Sequence, residues 1–150
     1  MIADFGVRGN PVHLLKFNLI NLIFHFSSSQ KNTNMNTYTT IKLETVNGIA
    51  TILLNRPDIR NAFNEVMIAE LTDAFQKAGE MDNIRVIILK GEGKSFCAGA
   101  DLNWMRNVSN YSFEQNYAES LHLSECFYAI YSSPKPTIAV IHGAAIGGAN

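Results

Sequence analysis

The sequence lacks the features that would place it in several classes at once. Its 12 basic and 13 acidic side chains leave a net charge of −1 on 150 residues, and only 17% of positions are charged. No basic face appears, which argues against nucleic acid as the main partner. Cysteine is scarce: Cys97 and Cys126 have neither metal nor disulfide-framework spacing, so a reducing, cytoplasmic setting is the default. The histidines at 13, 25, 122 and 142 show no ligand pattern either, and no metal is expected. No run reaches the roughly 20 apolar residues of a spanning helix. The nearest, Val12 to Phe26, is interrupted by His13, Lys16, Asn18, Asn21 and His25, so no membrane segment is expected.

What is present is an ordinary globular composition, 47% hydrophobic, on a one-domain length. Residues 1–36 read as an extension, with Ser27 to Thr40 a polar linker-like run and Met35 a self-sufficient start. The alternative is a transit peptide over the same residues, which would make the compartment mitochondrial. The domain is expected over 37–150. Ile41 to Thr45 alternates apolar and polar as a half-buried strand does. Asn47-Gly48 is the two-residue hairpin signal, and Ile49 to Leu54 is the return strand, ended by Pro57. Asn64 is a good N-cap for a helix to about Met81 with Met67, Leu71, Ala74, Phe75 and Ala78 on one face.

Val86 to Leu89 and Thr137 to Ile141 are uninterrupted apolar runs, expected as strands buried on both faces. Between them, Asp101 is placed to cap a short helix through Trp104 and Arg106. Ser112-x-x-Gln115 has capping-box form for a long one. Phe113, Tyr117, Leu121, Tyr128 and Tyr131 mark one stripe and Leu123, Phe127 and Ile130 a second, which predicts wide burial. Strands alternating with helices point to an α/β domain.

Each buried-type strand is followed by a glycine turn: Gly91 to Leu102 after the first, Gly143 to Ala149 after the second. Small residues allow close backbone approach, and unpaired N–H groups at such a turn favour negative charge. Two of them aimed at one oxygen make an oxyanion hole. Alone, the second turn reads first as close packing and only second as a phosphate loop, and it lacks the G-x-G-x-x-G spacing of a dinucleotide site.

Five stretches then occur in order: Asn55-Arg56-Pro57 with Asn61-Ala62, Arg85 to Gly91, Phe96 to Leu102, Lys135 to Ala139, and Gly143 to Ala149. Together, over about Tyr38 to Asn150, they resemble the N-terminal half of the enoyl-CoA hydratase/isomerase (crotonase) family. Phe96 to Met105, ending Asp-Leu-Asn-Trp-Met, is similar to methylglutaconyl-CoA hydratases and geranyl-CoA-pathway relatives. The resemblance implies a crotonase-like (ClpP/crotonase) α/β spiral of β-β-α units, present over about half the domain. It implies a lyase of fatty-acid or branched-chain amino-acid catabolism whose substrate is an acyl-CoA thioester, with no separate cofactor and a homotrimer or hexamer as the full-length assembly. It assigns the oxyanion donors to the backbone N–H groups of Ala100 and Gly148, with Gly99 and Gly147 permitting close approach. It sets Ala62, Ala98, Asp101 and Leu102 near the CoA adenine and pantetheine. Lys94 or Arg56 reads as a CoA-phosphate contact or a solvated surface charge.

A hydratase of this kind moves its protons with two glutamates. The resemblance puts the first at the position after Asn150 and the second further on, so the 150-residue chain is expected to be inactive on its own. Enoyl-CoA isomerisation, a non-catalytic CoA-binding fragment and a nucleotide-binding α/β domain are the alternatives. Asp101 reads as a helix cap before an acid or base. Cys97 reads as a packed residue, His142 as a strand-end hydrogen-bonding or packing group, and Trp104 and Met105 as core contacts or acyl-pocket lining.

Overall fold

The computed structural model describes residues 38–150; the expected extension, 1–36, and the start at Met35 lie outside the described residues. Strand β1 (Ile41–Val46) turns at Asn47 and Gly48, both at positive φ (51° and 81°), into the antiparallel strand β2 (Ile49–Leu54). Only residues that tolerate the left-handed region can make this two-residue turn, which is why Asn-Gly announced it. Helix α1 (Glu65–Glu80) follows a single 3-10 turn at Pro57–Ile59, and Asn64 caps it by accepting the Met67 N–H at 3.0 Å. Strand β3 (Val86–Gly91) then lies parallel to β2. Helices α2 (Leu102–Val108) and α3 (Phe113–Tyr131) lead to β4 (Thr137–Val140), parallel to β3. The result is an α/β fold on a mixed four-stranded sheet ordered β1-β2-β3-β4.

The core is one face of this sheet against α1. The period of two sends Ile41 and Leu43 inward and Lys42 and Glu44 outward. Across the register Ile41 faces Leu54, Leu43 faces Ile52, and Ala50 faces Ile87, all buried. Helix α1 supplies Met67, Ile68, Leu71, Ala74, Phe75 and Ala78, an i, i+4, i+7 stripe wide enough to cover that row.

Three burial expectations are corrected. Only Ile87 of β3 is fully buried. Strand β4 is exposed along its whole length and ends at Val140, one residue short of the expected Ile141. Helix α3 is not widely buried either: Cys126 alone is, while Phe113 and Tyr131 are 78% and 87% exposed. Leu123, Ala129 and Ile130 pack on the core, and Phe127 meets Phe63 edge-on at 6.2 Å. The stripe of Phe113, Tyr117, Leu121, Tyr128 and Tyr131 faces away. Apolar sequence makes a surface ready for burial, and burial follows only where another element packs on it.

A carboxylate fastens the start of the sheet to α1. Glu70 accepts from the N–H and hydroxyl of Thr39 (2.7 and 2.8 Å) on one oxygen and from those of Thr40 (2.8 and 2.5 Å) on the other. Burial alone would raise its pKa, but these four donors outweigh it and hold the carboxyl below its ordinary value.

Candidate active site

The two glycine turns are zipped together. Phe96 N–H donates to the His142 carbonyl (2.8 Å), Cys97 N–H to Ala144 (3.0 Å) and Ile146 N–H to the Cys97 carbonyl (3.1 Å). These bonds make a parallel bridge between Cys97 and Ala145, beyond the ends of β3 and β4. A second parallel bridge joins Phe63 to Ala100: Phe63 N–H reaches the Gly99 carbonyl at 2.7 Å and Asp101 N–H the Phe63 carbonyl at 2.8 Å. The first turn is therefore held on both sides, by residues before α1 and by the second turn.

Two glycines at positive φ, Gly99 (87°) and Gly147 (62°), lie where the turns meet, and only Gly99 is short of room for a Cβ. A Cβ on Gly147 would lie 3.8 Å from the Gly99 Cα, and a Cβ on Gly99 would lie 3.2 Å from the Ile146 carbonyl oxygen. The two turns thus meet backbone to backbone. The next residue after each glycine is Ala100 and Gly148. Among the described residues, neither of their N–H groups donates to a protein acceptor, and both residues are exposed. Unspent backbone donors on an otherwise bonded turn are the groups able to receive a ligand oxygen. A 3-10 turn, Gly147–Ala149, follows Ile146.

The remaining sequence-derived positions divide. Ala62 is buried, and both its backbone groups are spent: its N–H on Ile59 (3.2 Å) and its carbonyl on Arg56 Nη1 (2.6 Å). Ala98 is half-buried, its N–H donated to the Arg60 carbonyl at 2.9 Å. Leu102 and Met105 are 69% and 53% exposed, an apolar edge beside the Ala100 donor, whereas Trp104 turns onto the core.

Asp101 is a cap, its Oδ1 accepting the Asn103 N–H at 2.8 Å, and its Oδ2 meets Arg56 Nη2 at 2.9 Å. Burial opposes its ionisation, but the Asn103 N–H, the Arg56 guanidinium and the Trp104 N–H outweigh that and keep the carboxyl below its usual range. Arg56 is thus no solvated surface charge. Lys94 is exposed. Cys97 is fully buried, and burial pushes its thiol pKa up despite the Gly99 and Phe63 N–H groups, the opposite of an activated nucleophile. His142 bonds the Gly93 carbonyl through Nε2 at 2.9 Å, as a strand-end hydrogen-bonding group should.

Sequence reasoning missed Asn61 as more than a motif letter. It is 0% exposed at φ 55°, and its amide nitrogen donates to the carbonyls of Glu92, Ser95 and Phe96 (2.9, 2.9 and 3.2 Å). Its Oδ1 accepts the Arg56 N–H at 2.9 Å. An asparagine just before a helix cap, in a stretch with no apolar periodicity, was the available signal. Among the described residues, two grooves of about 530 and 280 Å³ lie between α1 and α3 and touch neither turn.

The sequence matches the profile of the enoyl-CoA hydratase/isomerase family over residues 44–150. A Thermus thermophilus protein provisionally named enoyl-CoA hydratase is 37% identical over 100 residues, covering 67% of this chain and 40% of that protein. The crystal structure of an enoyl-CoA hydratase from Shewanella pealeana superposes with a TM-score of 0.74 at 39% identity, covering 75% of this chain and 43% of that one. An enoyl-CoA hydratase/isomerase from Xanthobacter autotrophicus gives 0.71 at 30% identity, covering 75% and 42%. The chain therefore spans less than half the length of these relatives. The profile match spans both turns, and the relatives' identity and fold agree with it: the chain belongs to the enoyl-CoA hydratase/isomerase family.

Proposed function

We propose that this chain carries the oxyanion-holding part of an acyl-CoA enzyme, with the Ala100 and Gly148 N–H groups receiving the thioester oxygen of an enoyl-CoA. The observation that carries this reading is the pair of unspent donors, each one residue past a positive-φ glycine, on turns bonded to each other. When water adds to C3 of an enoyl thioester, the electron pair of the double bond moves through C2 onto the carbonyl oxygen. Donors fixed beforehand at that oxygen stabilise the enolate more than the ground state, and one such donor is worth about 2.7–4 kcal/mol. Gly99 and Gly147 then serve close approach, and Ala62, Ala98, Asp101 and Leu102 flank the CoA path.

Hydration is the reaction we favour. Isomerisation needs the same oxyanion hole and is the runner-up. The thioester is the substrate and no separate cofactor enters the scheme. A methylglutaconyl group is the finer proposal for the acyl chain, supported by the likeness at Phe96 to Met105, with Leu102 and Met105 offering apolar surface to it. We further propose a trimer or hexamer for the full-length assembly and a cytoplasmic or mitochondrial setting. Among the described residues no helix is long and apolar enough to cross a membrane. Asp101, the carboxylate beside the donors, is committed to Arg56 and to its cap. The 150-residue chain should accordingly polarise a thioester without hydrating it.

The test uses crotonyl-CoA labelled with ¹³C at the thioester carbonyl. Bound to the chain, its carbonyl resonance should move downfield and no hydrated product should form. Ala100→Pro, which deletes the donor, should abolish the shift, while Ala100→Gly should keep it. Gly148→Pro is the companion change and needs Gly148→Ala beside it, because any Cβ there overlaps the Phe127 ring. An unshifted carbonyl in the unsubstituted chain would refute the oxyanion assignment.

A further inference from the structure

We infer that Arg56 is a positioning residue for the Ala100 donor, acting through Asp101. Its guanidinium forks across the Phe63–Ala100 bridge. Nη1 donates to the Ala62 carbonyl at 2.6 Å on one strand of the bridge, and Nη2 to Asp101 Oδ2 at 2.9 Å on the other. Asp101 directly follows Ala100 and is itself fixed by its N–H to Phe63 and its Oδ1 cap. The Ala100 amide is joined to Gly99, at φ 87°, whose lack of a Cβ leaves many backbone conformations open unless both ends of the peptide are held. The Gly99 carbonyl is held by Phe63 N–H, and Asp101 is held by the Arg56 pair. The arginine's own backbone is anchored by Asn61, the same side chain that grips Ser95 and Phe96 below the turn. Ion pairing at 19% and 11% side-chain exposure is shielded enough to direct geometry, and a planar fork suits the task where a point charge would not.

This inference rests on the oxyanion reading, and its test separates the two. The probe is acetoacetyl-CoA. Its C2 proton passes to water, and the electron pair left behind delocalises onto the thioester oxygen, giving an enolate with its own ultraviolet band. Oxyanion donors should lower the pH at which the bound probe ionises. In Arg56→Gln that midpoint should rise by about one pH unit, a tenfold loss of enolate preference. Affinity for CoA itself should stay within about twofold, since neither donor touches it. Asp101→Asn keeps the cap oxygen but removes the charge, and should raise the midpoint similarly; it is read on the midpoint alone, because Asp101 flanks the proposed CoA path. Arg56→Lys should recover only part of it. Should Arg56→Gln fail to fold, Asp101→Asn and Arg56→Lys decide between the outcomes. An unsubstituted ionisation midpoint in the folded variants overturns the positioning role alone. A midpoint equal to that of free probe in the unsubstituted chain overturns the oxyanion reading and this inference with it. Equal weakening of CoA and enolate binding in the two Arg56 variants marks Arg56 as merely structural and also overturns it.

Discussion

Asn61 offers the most decisive perturbation of the fold beneath the site. Its amide nitrogen, two protons shared among the Glu92, Ser95 and Phe96 carbonyls, and its Oδ1, accepting Arg56 N–H, bind four backbone groups of two different loops. Asn61→Gly keeps the residue's left-handed backbone, φ 55°, at no steric cost, so beyond about 0.5–1 kcal/mol of added chain entropy its effect reports the hydrogen bonds. Each buried backbone group left without its partner costs about 1–3 kcal/mol. Water entering the gap can recover part of the loss. Taking the low end for each group, with further loss at the two buried carbonyls, the expected destabilisation is about 4–6 kcal/mol. That is a large share of the 5–15 kcal/mol typical of a whole domain. Asn61→Ala should cost about 1 kcal/mol more, for a Cβ in the left-handed region. Urea unfolding followed by far-ultraviolet circular dichroism and by Trp104 fluorescence measures both. A loss below about 1 kcal/mol for Asn61→Gly, with the slope against urea unchanged, would show that the amide is not the clamp between the loops.

Three other changes test separate parts of the structure. Because Glu70 is held below its ordinary pKa, its contribution is present above the unfolded value of 4.5 and lost as pH falls through the lower folded value; Glu70→Gln should remove that acid limb. At neutral pH the same change should cost about 1–3 kcal/mol, nearer the lower figure for a half-exposed carboxylate, and identical pH–stability curves for the two proteins would refute the clamp. Ser112→Ala removes the hydroxyl that accepts the Gln115 N–H at 3.3 Å and should cost about 1 kcal/mol, read as earlier amide exchange in the first turn of α3. Gly143, at φ 59°, has the Lys94 carbonyl where a Cβ would stand; Gly143→Ala should cost about 1–3 kcal/mol from strain alone, and a neutral thermal shift would contradict the packing of the two turns.

Local chemistry was readable in the sequence, and contacts spanning many residues were not. Asn47-Gly48, the Asn64 cap, the Asp101 cap and the Ser112 capping box each depend on neighbours within four residues, and all stand as expected. Alternation along Ile41 to Glu44 and the α1 stripe reported their buried faces for the same reason, since helix and strand periodicity is a local property. The exposure of β4 and of the Phe113 stripe could not be read, because apolar pattern states what a surface can bury and says nothing of which element covers it. Nor could the roles of Glu70, Asn61 and Arg56. Their partners on other loops lie 30 to 45 positions away, and a single carboxamide or guanidinium in sequence has too many partners to choose among.

The same division explains why this candidate site depends so much on residues that touch no ligand. A side-chain catalyst can be exchanged or tuned at its own position. A backbone N–H is identical at every residue except proline, so its usefulness lies wholly in where the chain holds it. At Ala100 and Gly148 that placement rests on glycines whose φ only glycine adopts cheaply, on bridges to Phe63 and between Cys97 and Ala145, and on the Asn61 and Arg56 bonds that fix the loops beneath. A shift of 1 Å at such a donor can cost about a hundredfold in rate. Substitutions at Asn61, Arg56 or Gly143 should therefore weaken the enolate interaction, whereas substitutions on the exposed face of α3, at Phe113 or Tyr131, should leave it unchanged in this chain.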